Sequence, residues 1–107
     1  MTMPLTRSFK ETVAANIRND PEFREALLTE AIEVLLSGDV QTGKAVLRDY
    51  INATLGFTEL SACTGTPAKS LMRMFSPSGN PTARTLFAVI HELQKAAGLV
   101  LELKRAA

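Results

Sequence analysis

Apolar side chains recur at helical spacing along most of this chain, and turn-forming residues cut the pattern into segments. Phe9, Val13 and Ile17 lie four apart, which predicts one face of a first helix from about Thr6 to Arg18. Asn19-Asp20-Pro21 breaks it. Asp20 is placed to cap the next helix, with Pro21 at its first position, where no amide donor is needed. Phe23, Leu27, Ala31 and Leu35 form the predicted buried stripe of that second helix, and Gly38 ends it. Asp39 is placed to cap a third helix with Val46, Leu47, Tyr50, Ile51 and Leu55 on its buried face, closed by Gly56. Gly43 should weaken its start.

The next elements are shorter. Phe57-Thr58 opens a helix over Glu59 to Thr64 that Gly65 stops, and Thr66-Pro67 caps and starts another that ends near Phe75. Ser76-Pro77-Ser78-Gly79 reads as a loop and Asn80-Pro81 as the next cap-and-start pair. Leu86, Val89, Ile90, Leu93 and Ala97 then mark an amphipathic helix to Gly98. The tail has a different period. Leu99, Leu101 and Leu103 alternate with Val100, Glu102 and Lys104, which predicts a strand. No other segment offers it a partner, so pairing with its copy across a two-fold axis is the expectation. The competing outcomes are a frayed helical extension or a disordered tail.

A chain of 107 residues, 46% apolar and 21% charged, is sized for one domain whose core needs no staple. One cysteine forms no internal disulfide, and one histidine beside it falls short of a zinc site. No metal or cofactor is expected. The first ten residues lack a signal-peptide core and no stretch approaches membrane-spanning length, so the expected compartment is the cytoplasm, without membrane contact.

Net charge is +1, but its distribution is uneven. Residues 1–56 carry six basic and eight acidic side chains, whereas 57–107 carry six basic and three acidic. Nothing between Glu59 and Glu92 is acidic, while Lys69, Arg73 and Arg84 lie there. A window of one sign creates a local positive field that attracts phosphates whatever the chain total.

The helix, Gly65 turn and helix between Thr58 and Phe75 have the proportions of a helix-turn-helix. In that motif the second helix enters the major groove by its N-terminal residues, so its start must be small and polar. Thr66, Pro67, Ala68, Lys69 and Ser70 meet this need. Lys69 and Ser70 can reach bases, and Arg73, one turn later, a guanine edge or a phosphate. Thr58, Asn80 and Thr82, at helix starts, with Arg84 nearby, suit phosphate contacts. Leu60, Leu71 and Met74 are spaced to pack inward.

The run from Thr58 through Gly65-Thr66-Pro67-Ala68-Lys69-Ser70 to Phe87 resembles the Cro/cI-type helix-turn-helix, in the form found in addiction-module antidotes, the HigA-type antitoxins. Leu71-Met-Arg-Met-Phe-Ser-Pro-Ser-Gly-Asn-Pro-Thr82 carries most of the likeness, because a similar Ser-Pro-x-Gly-Asn-Pro loop follows that family's recognition helix. The likeness covers about residues 45–104 and leaves the first 40 outside. It implies a lambda-repressor-like, all-α bundle over 39–98, to which the apolar spacing adds a helical extension over 1–38 and a short strand within 99–107, a candidate dimerisation element. It also implies a homodimeric repressor on a double-stranded DNA operator, often that of its own operon, whose relatives neutralise a ribonuclease toxin. Carried over by position, Lys69, Ser70 and Arg73 face DNA, with Thr66 and Ala68 beside them. The chain departs from the family where many relatives carry an apolar residue at the Thr66 position and arginine or glutamine near Ala68. No toxin-binding motif carries over.

Other signals are weaker. Gly38-Asp-Val-Gln-Thr-Gly43-Lys44 matches most of a phosphate-binding loop, but Ala45 stands where a magnesium-binding hydroxyl is needed and a helical pattern precedes it. Cys63 and His91 do not make a nucleophile pair on this spacing, so no enzyme is expected; Cys63 reads as a small buried residue and His91 as a polar flank. Met72, Met74 and Phe75 read as core. Glu22, Glu25, Glu30 and Glu33 read as a solvated face that a basic toxin could also bind. The alternative to a DNA reader is a protein-interaction module in which the short helix pair no longer reads DNA and the N-terminal helices hold a partner.

Overall fold

The computed structural model describes residues 7–106, with side chains from Glu11 onward. The expected start at Thr6 and the side chain of Phe9 lie outside the described residues. The chain is all-helical: α1 Arg7–Asn19, α2 Pro21–Leu36, α3 Val40–Ala53, α4 Phe57–Thr64, α5 Ala68–Met74 and α6 Ala83–Ala97. No described helix is long and apolar enough to cross a membrane.

The helix ends follow from local chemistry. Asp20 Oδ1 accepts the amides of Glu22 and Phe23 at 3.1 and 3.2 Å, while Asp39 Oδ1 accepts that of Thr42 at 3.1 Å. Both carboxylates satisfy amides that have no partner inside their helices. Arg24 Nη1 donates to the Ile17 and Arg18 carbonyls at 3.2 and 3.0 Å, so a side chain of α2 closes the carboxyl end of α1.

One core joins all six helices. Ile17 of α1, Leu28 and Ala31 of α2, Leu47, Tyr50 and Ile51 of α3, Phe57 and Leu60 of α4, Leu71 of α5 and Val89, Ile90 and Leu93 of α6 are buried together, with Phe75. The α2–α3 crossing is close because Gly43 faces it. A Cβ there would stand 2.6 Å from Leu35 Cγ and Cδ2. The stretch Gly38 to Lys44 is therefore a helix stop, a cap and the first turns of α3, not a phosphate-binding loop.

Several expectations need correction. Phe23 is exposed and Leu28 takes the buried place in α2. Helix α4 begins at Phe57, two residues before the expected Glu59. Thr66 does not cap α5: Pro67 stays extended at ψ 140°, the helix starts at Ala68, and the Thr66 amide donates to Thr64 Oγ1. Asn80-Pro81 does not start α6, because Thr82 Oγ1 accepts the Thr85 amide and sets the boundary two residues later. Met72 and Cys63 are exposed, not core.

The expected strand at Leu99–Lys104 is not formed, and no strand occurs among the described residues. A single chain supplies no backbone edge for it. Gln94 takes the partner's place: its main-chain carbonyl accepts the Leu99 amide at 3.1 Å and its Oε1 accepts the Leu101 amide at 2.7 Å. The period of two survives in the packing, with Leu99 and Leu101 against the core and Val100 turned outward.

Candidate nucleic-acid interface

Helices α4 and α5 are joined by Gly65-Thr66-Pro67. Gly65 is left-handed at φ 78°, and its amide donates to the Ser61 carbonyl at 2.8 Å, so α4 stops within one residue. The pair is anchored from beneath. Leu60 and Leu71 are wholly buried, and the Phe57 and Phe75 rings pack at 6.3 Å with a 51° tilt. Burial of Leu71 fixes the rotation of α5 and turns the opposite side of this seven-residue helix to solvent.

Lys69 and Arg73 stand four residues apart on that outward side, and both are exposed. Ser70 sits beside Lys69 but is half-buried, as are Ala68 and Thr66 in the approach to the helix. Met72 shares the exposed side, 53% accessible. The ion pair formed among the described residues is Lys95–Glu92, at 3.6 Å. Lys69, Arg73 and Arg84 form no ion pair with a carboxylate among the described residues.

The remaining candidates lie on other elements. Thr58 is exposed in the first turn of α4. Asn80 is exposed in the loop, and Arg84 in the first turn of α6. Thr82 is exposed, but its hydroxyl is occupied as the α6 cap, accepting from the Thr85 amide and donating to Thr85 Oγ1 at 3.0 Å. What joins the loop to α5 is Gly79. A Cβ on Gly79 would overlap the Arg73 carbonyl and come within 2.7 Å of the Met74 carbonyl oxygen. Ser76 closes the same turn, its Oγ donating to the Arg73 carbonyl at 2.6 Å while its own carbonyl accepts the Gly79 amide at 3.0 Å. Asn80 thus follows directly on the residue seated against the end of α5.

Two residues of this region escape the sequence reading. Lys44 is 2% exposed, and its Nζ donates to the Gly79 carbonyl at 2.6 Å and to that of Pro77 at 3.4 Å. Arg48, one turn on, donates from Nη1 to the Phe75 carbonyl at 3.3 Å. Residues 44, 47, 48 and 51 have the spacing of a single helix face, and Leu47 and Ile51 are buried. The sequence signal for Lys44 is its alignment with the two core positions Leu47 and Ile51.

The arrangement offers exposed cations on a short rigid helix, and it brings together no group of three metal-ligating side chains among the described residues. No family model, curated protein or solved structure matches the chain.

Proposed function

We propose that this protein is a sequence-specific DNA-binding regulator that acts as a homodimer, with α4 and α5 as its helix-turn-helix. The observation that carries the reading is the pairing of Lys69 and Arg73 on the outward side of a helix whose other side is locked by Leu71. Cations held four residues apart on a rigid element suit a groove edge, and the absence of acids from 60 to 91 leaves their field uncancelled. Thr66, Ala68 and Ser70 flank them, Thr58, Asn80 and Arg84 supply the backbone contacts that set register, and Thr82, its hydroxyl engaged by Thr85, holds the start of α6 beside them. The family likeness of the Ser76-to-Thr82 loop extends this to an autorepressor and antitoxin, partnered by a ribonuclease toxin.

The test is enrichment from a random duplex pool, followed by titration of the enriched duplex at several salt concentrations. Saturable binding whose logarithm falls linearly with the logarithm of salt supports the reading, because phosphate contacts release counterions. Failure to enrich any sequence rejects it.

A second reading rests on Phe23, Leu36 and Val40, exposed apolar side chains of α2 and α3. It makes the chain a protein-interaction module, and its binding to a partner would change little with salt.

A further inference from the structure

Lys44 is the one buried charged or polar side chain of the described core. Taking a lysine amino group out of water is costly unless hydrogen bonds replace the lost hydration. Here no carboxylate does so, and the replacement comes from main-chain carbonyls of the α5–α6 loop, 33 and 35 residues further along the chain. An apolar residue of similar length would fill the space without that desolvation, so packing alone does not account for the lysine. Arg48 repeats the arrangement one turn later on the Phe75 carbonyl. Two cations of α3 therefore hold the loop that begins where α5 ends, and Asn80, Thr82 and Arg84 follow it.

We propose that Lys44, assisted by Arg48, is a positioning residue for duplex binding. It fixes residues 76–79 so that Asn80 and Arg84 meet the sugar-phosphate backbone in constant register with Lys69 and Arg73, with Thr82 capping α6 between them. Loose attachment of this loop would require it to lose conformational freedom on binding, and its phosphate contacts would weaken together. This inference rests on the DNA-binding reading above.

The experiment is a salt-dependent anisotropy titration of the enriched duplex with wild type, Lys44→Met and Arg48→Met, under conditions where circular dichroism shows equal helix content. Lys44→Met retains the stem and removes the donor. We expect about tenfold weaker binding and a salt slope shallower by about one to two, with unchanged stoichiometry. Amide exchange should quicken over 76–82 and stay unchanged in α2. A purely structural role would lower the active fraction and leave the slope alone. Wild-type affinity and slope in Lys44→Met overturn the inference while leaving the DNA-binding reading intact. Should Lys44→Met not fold, Arg48→Met decides by the same two readouts. Wild type that binds no duplex removes the reading, and this inference with it.

Discussion

Gln94 holds Leu101 of the tail against α6 through a 2.7 Å bond from the Leu101 amide to the Gln94 Oε1. The Leu99 amide points the same way, to the Gln94 main-chain carbonyl. The amides of Val100 and Glu102, between and after these two, make no hydrogen bond among the described residues. Val100 and Leu103 are 81% and 84% exposed beside them. Two amides of the tail are satisfied within the chain and two are open, and open amides are what pairing with a second copy would use.

Glu102→Pro removes one of the open amides and leaves both bonds to Gln94 in place. Sedimentation equilibrium should show wild type as a dimer and the variant shifted toward monomer, with equal helix content. Equal dimerisation of the two proteins would show that the tail is not the interface.

Gly79→Ala forces a Cβ into the Arg73 carbonyl, and backbone cannot move aside as a side chain can. The loop must open and the Lys44 bond to the Gly79 carbonyl must lengthen. Urea unfolding should show a loss of about 2 kcal/mol or more. Ser78→Ala, one residue away at an exposed position, should be close to neutral.

Asp39 carries the acid dependence of the α3 start. The Thr42 hydroxyl, and after it the Thr42 amide, hold its carboxyl below the usual range. A carboxyl depressed in the folded state adds stability above its unfolded value, near 3.9, and loses it as pH falls through the folded value. The melting-temperature gap between wild type and Asp39→Ala should therefore narrow as pH drops below about 4. A constant gap would contradict the assignment.

Tyr50 acts at the other end of the scale. Burial pushes its hydroxyl above the ordinary value; the charge of Arg24 opposes this and that of Glu25 adds to it. The unfolded phenol ionises first, near 10, so the stability Tyr50 contributes is complete below that pH and is lost as pH rises through the folded value. Wild type should lose stability relative to Tyr50→Phe above pH of about 10. Tyr50 is the only tyrosine, so phenolate absorbance reports its titration directly.

The punctuation of this fold is legible in the sequence because each mark is a local bond. Asp20 and Asp39 cap, and Gly65 and Gly98 end helices in the left-handed region, where the residue pattern places them. Facing is less legible. Residues spaced strictly by four wind ~40° further round a helix at each step, so a stripe anchored at Ala31 carries Phe23 out of the interface. Long-range bonds are legible least. The Lys44 link to Gly79 joins residues 35 apart, and its one local trace is that Lys44 lines up with the core positions Leu47 and Ile51. In the candidate site, the exposure of Lys69 and Arg73 follows from the inward spacing of Leu60 and Leu71, whereas Thr66 and Asn80 do not cap because an X-Pro pair starts a helix only when the proline itself turns helical.

Lys69 and Arg73 are the proposed DNA contacts on which the regulator reading depends. They are tested most directly by titrating the enriched duplex with wild type, Lys69→Ala, Arg73→Ala and the double variant. Each single change should weaken binding by about 1–3 kcal/mol where the contact is to a base, with circular dichroism unchanged. Affinity in the double variant equal to wild type would contradict the account.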